Sequence, residues 1–358
     1  MLNYILKKIG YGVLVVFGVV TLVFFLFNIL PGDPARMMLG QRADEQSVEM
    51  IHKDLGLDKP LSVQYLNYLN DLSPVSFHST VSTSNFFLDS SKYTSFTTLI
   101  KAGSDRVILK KPYLRRSYQS KREVSQILKQ AFPNTIILAL AAMAIAFITG
   151  VILGSISSLY ANTWVDRLIQ FLTSVGMSLP SFFAAIIIAW LFAFVLSDYT
   201  HLSMFGSLYA VDDLGGGEHL QLKNLILPAL TLGIRPLAVI TELTKATLLD
   251  VYSQDYIRTA RAKGLNNRQV IWRHALKNAL NPVITAASGW FASLIAGAVF
   301  VEYIFDWKGV GVVIVDSLEK YDFPVVMGAL LVVCVLLVLI NILTDILYGL
   351  LDPRVRLQ

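Results

Sequence analysis

Between Asp255 and Val283 the sequence DYIRTARAKGLNNRQVIWRHALKNALNPV carries six Lys or Arg, at Arg258, Arg261, Lys263, Arg268, Arg273 and Lys277, against one acid. Cations at this density in an alanine-rich, helix-forming stretch can meet lipid phosphates or the acidic rim of another protein, and neither use needs a reacting group. Reacting groups are not legible elsewhere. There is no GxxxxGK[ST] nucleotide loop, no HExxH, no carboxylate pair at a useful spacing, and no Ser, His and acid arrangement around a nucleophile. The histidines, His52, His78, His201, His219 and His274, are scattered without a ligand spacing. The reading is of a chain with no catalytic residues, no metal site and no cofactor of its own; any ATP hydrolysis must come from another chain.

The elements around this basic segment set its context. The chain has 358 residues, of which 54% are apolar and 15% charged, with a mean hydropathy of +0.58; soluble chains carry about 25% charge. Several stretches approach the roughly 20 apolar residues that cross a bilayer. Six spans are expected, at Ile9 to Leu30, Thr135 to Tyr160, Ile169 to Leu196, Leu225 to Leu249, Pro282 to Ile304 and Pro324 to Leu350. In the fourth, Arg235, Glu242 and Lys245 interrupt the apolar character, and Pro228 and Pro236 can bend it. The formal charge of +5 sits beside the spans, as topology determinants do, so nucleic-acid binding is not expected. The lone Cys334 lies in an apolar run and excludes an intrachain disulfide.

Lys7, Lys8, Arg167, the basic segment, Arg354 and Arg356 fall on one side if the spans alternate, which makes that side and both termini cytoplasmic. Residues 1–30 then form a first membrane helix, 31–133 an external region, 134–350 a five-helix core containing a cytoplasmic loop at 251–281, and 351–358 a tail. The external region is itself basic, but the positive-inside rule weights short loops and span-proximal residues. Within it, Asp44 to Leu55 and LDKPLSVQYLNYLNDL read as helices, Thr80 to Tyr118 as short strands or ordered loop, and SKREVSQILKQAF as a helix entering the second span.

Small and polar residues mark points inside the spans. Gly150 and Gly154, and Gly289 and Gly297, permit close helix contact. Pro180 should bend its helix. Glu242, Lys245 and Asp345 are candidates for intramembrane polar contacts, which would also suit an ion-coupled secondary transporter. In the basic loop, Gly264 reads as punctuation between two short helices, the second with an apolar stripe of Val270, Ala275 and Leu276. A lipid-facing topology anchor and a docking element both fit these residues.

The stretch RTARAKGLNNRQVIWRHALKNALNPV resembles the coupling loop of permease subunits in binding-protein-dependent ABC importers of the dipeptide, oligopeptide and nickel class. Ala260 and Gly264 take the small positions of that family's broader Glu-Ala-Ala and glycine motif. Thr259 replaces the glutamate and Pro282 lies farther from the glycine, as in the peptide-class variant. LPGDPAR after the first span, EYIFDWKGVG, YDFPVVMGALL and ILTDILYGLLDPRVR extend the resemblance over most of the chain outside the external region. It implies an all-α polytopic membrane protein with the six transmembrane helices of the type I ABC importer permease fold and an enlarged external region. It also implies that Thr259, Ala260, Arg261, Lys263, Gly264, Leu265 and Arg268 couple to an ATPase. The implied partners are a second homologous permease, two ABC ATPase subunits using ATP and Mg, an extracytoplasmic substrate-binding protein, membrane lipid and a di- or oligopeptide, with nickel or a metal chelate as the alternative cargo. The implied location is the bacterial inner membrane. Lys308 stands where the family has a proline, and the Gly-Asp-Leu-Gly-x-Ser pattern is split, with LRRSYQSKREVSQIL resembling its continuation.

Overall fold

The structure is a computed structural model describing residues 2–29, 33, 35–36, 44–82, 84–89, 92–93, 95–211 and 218–351. The chain divides into two compact units, one of residues 1–14, 131–312 and 333–358, the other of 15–130 and 313–332. Elements in chain order are α1 (Leu2–Ile29), α2 (Glu45–Leu55), α3 (Leu61–Leu72), β1 (Val75–Ser79), β2 (Phe96–Ala102), β3 (Asp105–Lys110), α4 (Val124–Leu159), α5 (Trp164–Ser178) and α6 (Ser181–Trp190). Then follow α7 (Ser197–Thr200), β4 (Tyr209–Val211), β5 (Glu218–Leu220), α8 (Lys223–Tyr252), α9 (Asp255–Ala262), α10 (Asn267–Val270), α11 (Leu276–Ile304), α12 (Val310–Glu319) and α13 (Phe323–Leu351).

Among the described residues, five helices are long and apolar enough to span a membrane: Leu6–Asn28, Val124–Leu159, Lys223–Tyr252, Arg268–Ile304 and Phe323–Ile346. The sixth expected span, Ile169 to Leu196, is not one straight helix. It is a pair, Trp164–Ser178 and Ser181–Val195, bent by 114°. Pro180 sits at the break, as its missing amide dictates, with Leu179 extended before it. Trp164, Leu168, Phe171 and Leu172 leave an exposed apolar stripe on α5, and the part of α5 from Ile169 onward is what the expected span joined to α6. The fifth span also starts earlier than expected: α10, a π-helical turn at Ile271–Ala275 and α11 run on with Pro282 inside the helix. The basic loop's second half is therefore an extension of a spanning helix.

The first unit is held by small residues. Ala139, Ala142, Ala185, Ala189, Ala229 and Ala298 are buried with Leu138, Leu227, Leu294 and Trp307, as expected where helices associate by packing rather than by escape from water. A Cβ on Gly150 would lie 2.7 Å from Ile240, and one on Gly154 would lie 2.5 Å from the Thr241 carbonyl, so α4 and α8 touch backbone to backbone there. Gly289 and Gly297 are exposed on this chain, and Gly297 has nothing within 4 Å of its Cβ position.

In the second unit Phe24, Phe27, Tyr68, Phe323 and Met327 form a buried cluster. Asp44 caps α2 through the Ser47 amide and Gly56 ends it in the left-handed region. A three-stranded antiparallel sheet has the order β1-β3-β2, with Val75 opposite Leu109 and Phe96 opposite Lys110. β2 and β3 lie in the stretch expected to hold strands; β1 precedes it. The SKREVSQILKQAF helix is continuous with its span, with Pro133 inside α4. Of LPGDPAR only Asp33, Ala35 and Arg36 are described; the Asp33 carboxylate accepts from the Ala35 amide at 3.0 Å and meets His52 Nε2 at 2.7 Å. Residues 352–358, with Arg354 and Arg356, lie outside the described residues.

Candidate coupling element and transport path

α9 begins after Gln254 and presents Ile257 and Ala260 to the core while Arg258, Thr259, Arg261 and Lys263 are exposed. Thr259 Oγ1 donates back to the Asp255 carbonyl at 3.0 Å. The helix closes in a Schellman motif: the Gly264 amide donates to Arg261 at 2.9 Å and the Leu265 amide to Ala260 at 3.4 Å. Gly264 has φ +81°, a conformation that costs a side-chain-bearing residue roughly 1–2 kcal/mol. Among the described residues, no atom beyond its two chain neighbours lies within 4 Å of its Cβ position.

The next helix starts with a capping box that sequence reading passed over. The Gln269 amide donates to Asn266 Oδ1 at 2.9 Å and the Asn266 amide to Gln269 Oε1 at 3.2 Å. The signal was present as Asn-x-x-Gln in LNNRQV. Val270, Ala275 and Leu276 are buried as one stripe with Ile257 and Ala260, leaving Arg268 and Arg273 exposed. Asn278 Nδ2 donates to Tyr256 Oη at 2.8 Å, bracing α9 against α11. Arg261 lies over the Tyr252 ring at 5.9 Å, and Tyr252 Oη meets Ser158 Oγ at 3.4 Å. The element is thus a short exposed basic helix, a left-handed glycine and a helix continuous with a long span.

The polar residues singled out inside the spans find other partners than one another. Lys245 Nζ lies 2.6 Å from Asp166 Oδ1, and Asp345 lies 2.8 Å from Lys8. Glu242 is exposed on α8. Asp166, which the sequence reading missed, also accepts from Ser157 Oγ at 2.5 Å and from the Asn162 amide at 2.9 Å. Arg235 and Glu242, seven residues apart, lie on the same outward face of α8. Beside Arg235 is a cavity of about 120 Å³ lined by residues that include Gly176, Ser181, Trp290, Ser293 and Gly297.

A second buried carboxylate, Glu302, lies in EYIFDWKGVG. It accepts from the Gly311 amide at 2.6 Å at the start of α12. The Val310 amide donates to Thr135 at 2.9 Å, and Trp307 Nε1 donates to the Asn134 carbonyl at 2.9 Å. These bonds tie the turn after α11 to α4. A Cβ on Gly311 would come within 2.5 Å of Val299 Cα.

Helices long enough to span and close small-residue packing between them define a polytopic helical membrane protein. Residues 150–357 match the family described as binding-protein-dependent transport system inner membrane component, and residues 1–84 match that system's N-terminal membrane component. The chain belongs to this family and is a multi-pass inner-membrane permease subunit. It is 34% identical to the di/tripeptide transport system permease protein DppB of Pseudomonas aeruginosa over 100% of both chains. It is 36% identical to the probable D,D-dipeptide transport system permease protein DdpB of Escherichia coli, over 98% of this chain and 97% of that one. It is 35% identical to the glutathione transport system permease protein GsiC of Pectobacterium atrosepticum over 99% of each. In fold it is similar to a chain of the MetNI methionine ABC transporter in an inward-facing conformation, with a TM-score of 0.50 at 16% identity over 63% of this chain and 97% of that one.

Proposed function

We propose that this chain forms half of the path through which an ABC importer takes up di- or oligopeptides, paired with a second homologous permease, two ATPases and a substrate-binding protein. The observation that carries the coupling role is Gly264: its backbone closes α9 while no described residue beyond its chain neighbours reaches its Cβ position. Arg258, Arg261, Lys263 and Arg268, near Gly264 in sequence, are exposed, which suits an ATPase groove with an acidic rim. The ATPases bind and hydrolyse ATP with Mg; closing them moves α9, and Tyr252 and the Asn278 brace carry the motion into α8, α4 and α11. The permease is the two-state element, alternately opening the path to each side. Peptide cargo is supported by the names of the relatives, which describe carriers of di/tripeptides, D,D-dipeptides and glutathione.

In this reading α9 and both termini are cytoplasmic, and the region between the first two long helices faces outward, where residues 80–113 engage the binding protein. Mass measurement of the intact complex should show a second membrane subunit and two ATPases. A fully active assembly with this chain as its only membrane subunit overturns the proposal. Cytoplasmic labelling of residues 80–113 overturns its orientation.

A further inference from the structure

Arg235 is the thirteenth residue of the 30-residue helix Lys223–Tyr252, about 18 Å along it from the start at about 1.5 Å per residue. That places a guanidinium near the middle of a hydrocarbon layer about 30 Å thick. It is exposed on this chain, and a cation at that depth faces a water-filled or protein-lined space, not lipid. Its Nη2 donates to the Leu179 carbonyl at 3.2 Å, at the 114° break between α5 and α6. One of five N–H donors is used there, which tethers the guanidinium at the break and leaves the others for an anion. The adjoining cavity of about 120 Å³ is lined by residues that include Gly176, Ser181, Trp290, Ser293 and Gly297, while the Thr231 hydroxyl beside them is already spent on the Leu227 carbonyl. Small residues, hydroxyl donors and a single tethered cation form a receptor for a compact carboxylate.

We propose that Arg235 is a substrate-contacting residue of the path and holds the C-terminal carboxylate of the peptide, with Ser293 and Ser181 beside it. The proposal rests on the peptide reading above. A free peptide carries one such carboxylate whatever its side chains, so a site of this kind selects peptides without selecting their sequence. The bond from Leu179 also makes the bend at Pro180 sensitive to occupancy, because an anion on the guanidinium competes for its donors.

The test uses the complete importer in vesicles, with a saturating amount of loaded binding protein, and compares a tripeptide with its C-terminal amide. Arg235→Gln should lower the ratio of free-acid to amide uptake at least about tenfold relative to wild type, the loss of a charge-assisted bidentate contact. Arg235→Lys, which keeps the charge, should stay within about threefold. An Arg235→Gln ratio like that of wild type, or equal losses for both peptides, overturns the proposal and points to an ion pair with the second permease. If Arg235→Gln does not assemble, or wild type does not carry the amide, the site is read with Arg235 intact. In a Ser293→Cys, Cys334→Ala chain, the thiol should react faster with an anionic than with a cationic methanethiosulfonate, and the free-acid tripeptide should protect it during turnover. Equal rates without protection overturn the proposal. Absence of any tripeptide uptake by wild type instead sinks the peptide reading itself.

Discussion

Lys245 Nζ rests 2.6 Å from Asp166 Oδ1, joining α8 to α5 across 79 residues of sequence. Asp166 is buried and takes further donors from Ser157 and the Asn162 amide. Removing one charge strands the other in poorly solvated surroundings, which costs about 3 kcal/mol, whereas removing both costs less. Asp166→Asn should therefore destabilise the purified subunit more than the Asp166→Asn, Lys245→Met double variant does, as read by thermal unfolding in detergent. Additive losses in the double variant would show that the pair is not coupled.

Glu302 should behave differently because its main partner is backbone. Its carboxylate accepts from the Gly311 amide at the N-terminus of α12, and a bonded acceptor at a helix start is worth about 1 kcal/mol. Glu302→Ala removes the acceptor and opens a void, so a loss of about 2–4 kcal/mol is expected. Gly311→Ala should match it by driving a methyl into the Val299 backbone. The same thermal measurement reports both, and an unaltered midpoint for Gly311→Ala would contradict the packing described.

In the second unit Asp322 gathers the RSYQS turn. It accepts from Ser117 Oγ and from the Tyr118 amide at 2.8 Å. Asp322→Ala leaves the Tyr118 amide and the Ser117 hydroxyl without their acceptor, costing about 2 kcal/mol locally. Protease cleavage within residues 111–123 should rise by about 30-fold, what that energy gives if cleavage follows local opening. Resistance equal to wild type would remove the carboxylate's structural role.

Lys110 gives the same unit a pH dependence. Burial lowers its pKa to about 8, against a smaller opposing effect from Asp71, while Nζ donates to the Asp71 carbonyl at 2.6 Å. Folding therefore releases a proton between pH 8 and the unfolded value of 10.5. In that window the unfolded chain binds more protons, so this residue's contribution to stability rises with pH and levels off above the unfolded value. Protease resistance of residues 75–110 should increase from pH 8 to 10 relative to Lys110→Met. A parallel pH response in the two proteins would exclude Lys110 as the source.

What the sequence made legible follows from where the signals are local. Spans, α2, α3 and the buried stripe of Val270, Ala275 and Leu276 are periodic or composition-driven, and the structure has them. The Asp166–Lys245 and Ser117–Asp322 links join residues far apart, and a single sequence carries no trace of such pairing. Glu242 and Lys245 drew attention as neighbours on one helix, yet Lys245 turns to another helix and Glu242 outward. The 114° break had its proline in plain view; the apolar content on both sides hid how far the chain turns. Gly289 and Gly297 look like packing glycines by type, but among the described residues nothing lies within 4 Å of a Cβ placed on Gly297.

Gly264 has two separable duties, and one substitution series distinguishes them. Its φ of +81° closes the Schellman turn, a demand that Asn meets better than Ala or Leu because a short amide side chain tolerates the left-handed region. No described residue beyond its chain neighbours lies within 4 Å of its Cβ position, so a small side chain there leaves the packing of this chain untouched and meets what docks. If the residue served the turn alone, Gly264→Asn would bind ATPase like wild type and Gly264→Ala would lose about 1 kcal/mol, or roughly fivefold in affinity if the turn must be formed to dock. If a partner surface closes over it, Gly264→Asn should lose ATPase association strongly despite a sound turn, and Gly264→Leu should lose it altogether. Both should insert and fold, because the neighbouring charges and the α11 extension are untouched. Arg268→Gln, which removes one peripheral charge, should weaken association only about two- to fivefold, as expected for a solvent-screened contact. Copurification of the ATPases from solubilised membranes, normalised to the amount of this chain, orders the four variants; full association of Gly264→Asn and Gly264→Leu would leave the loop as a topology anchor with a glycine-closed turn.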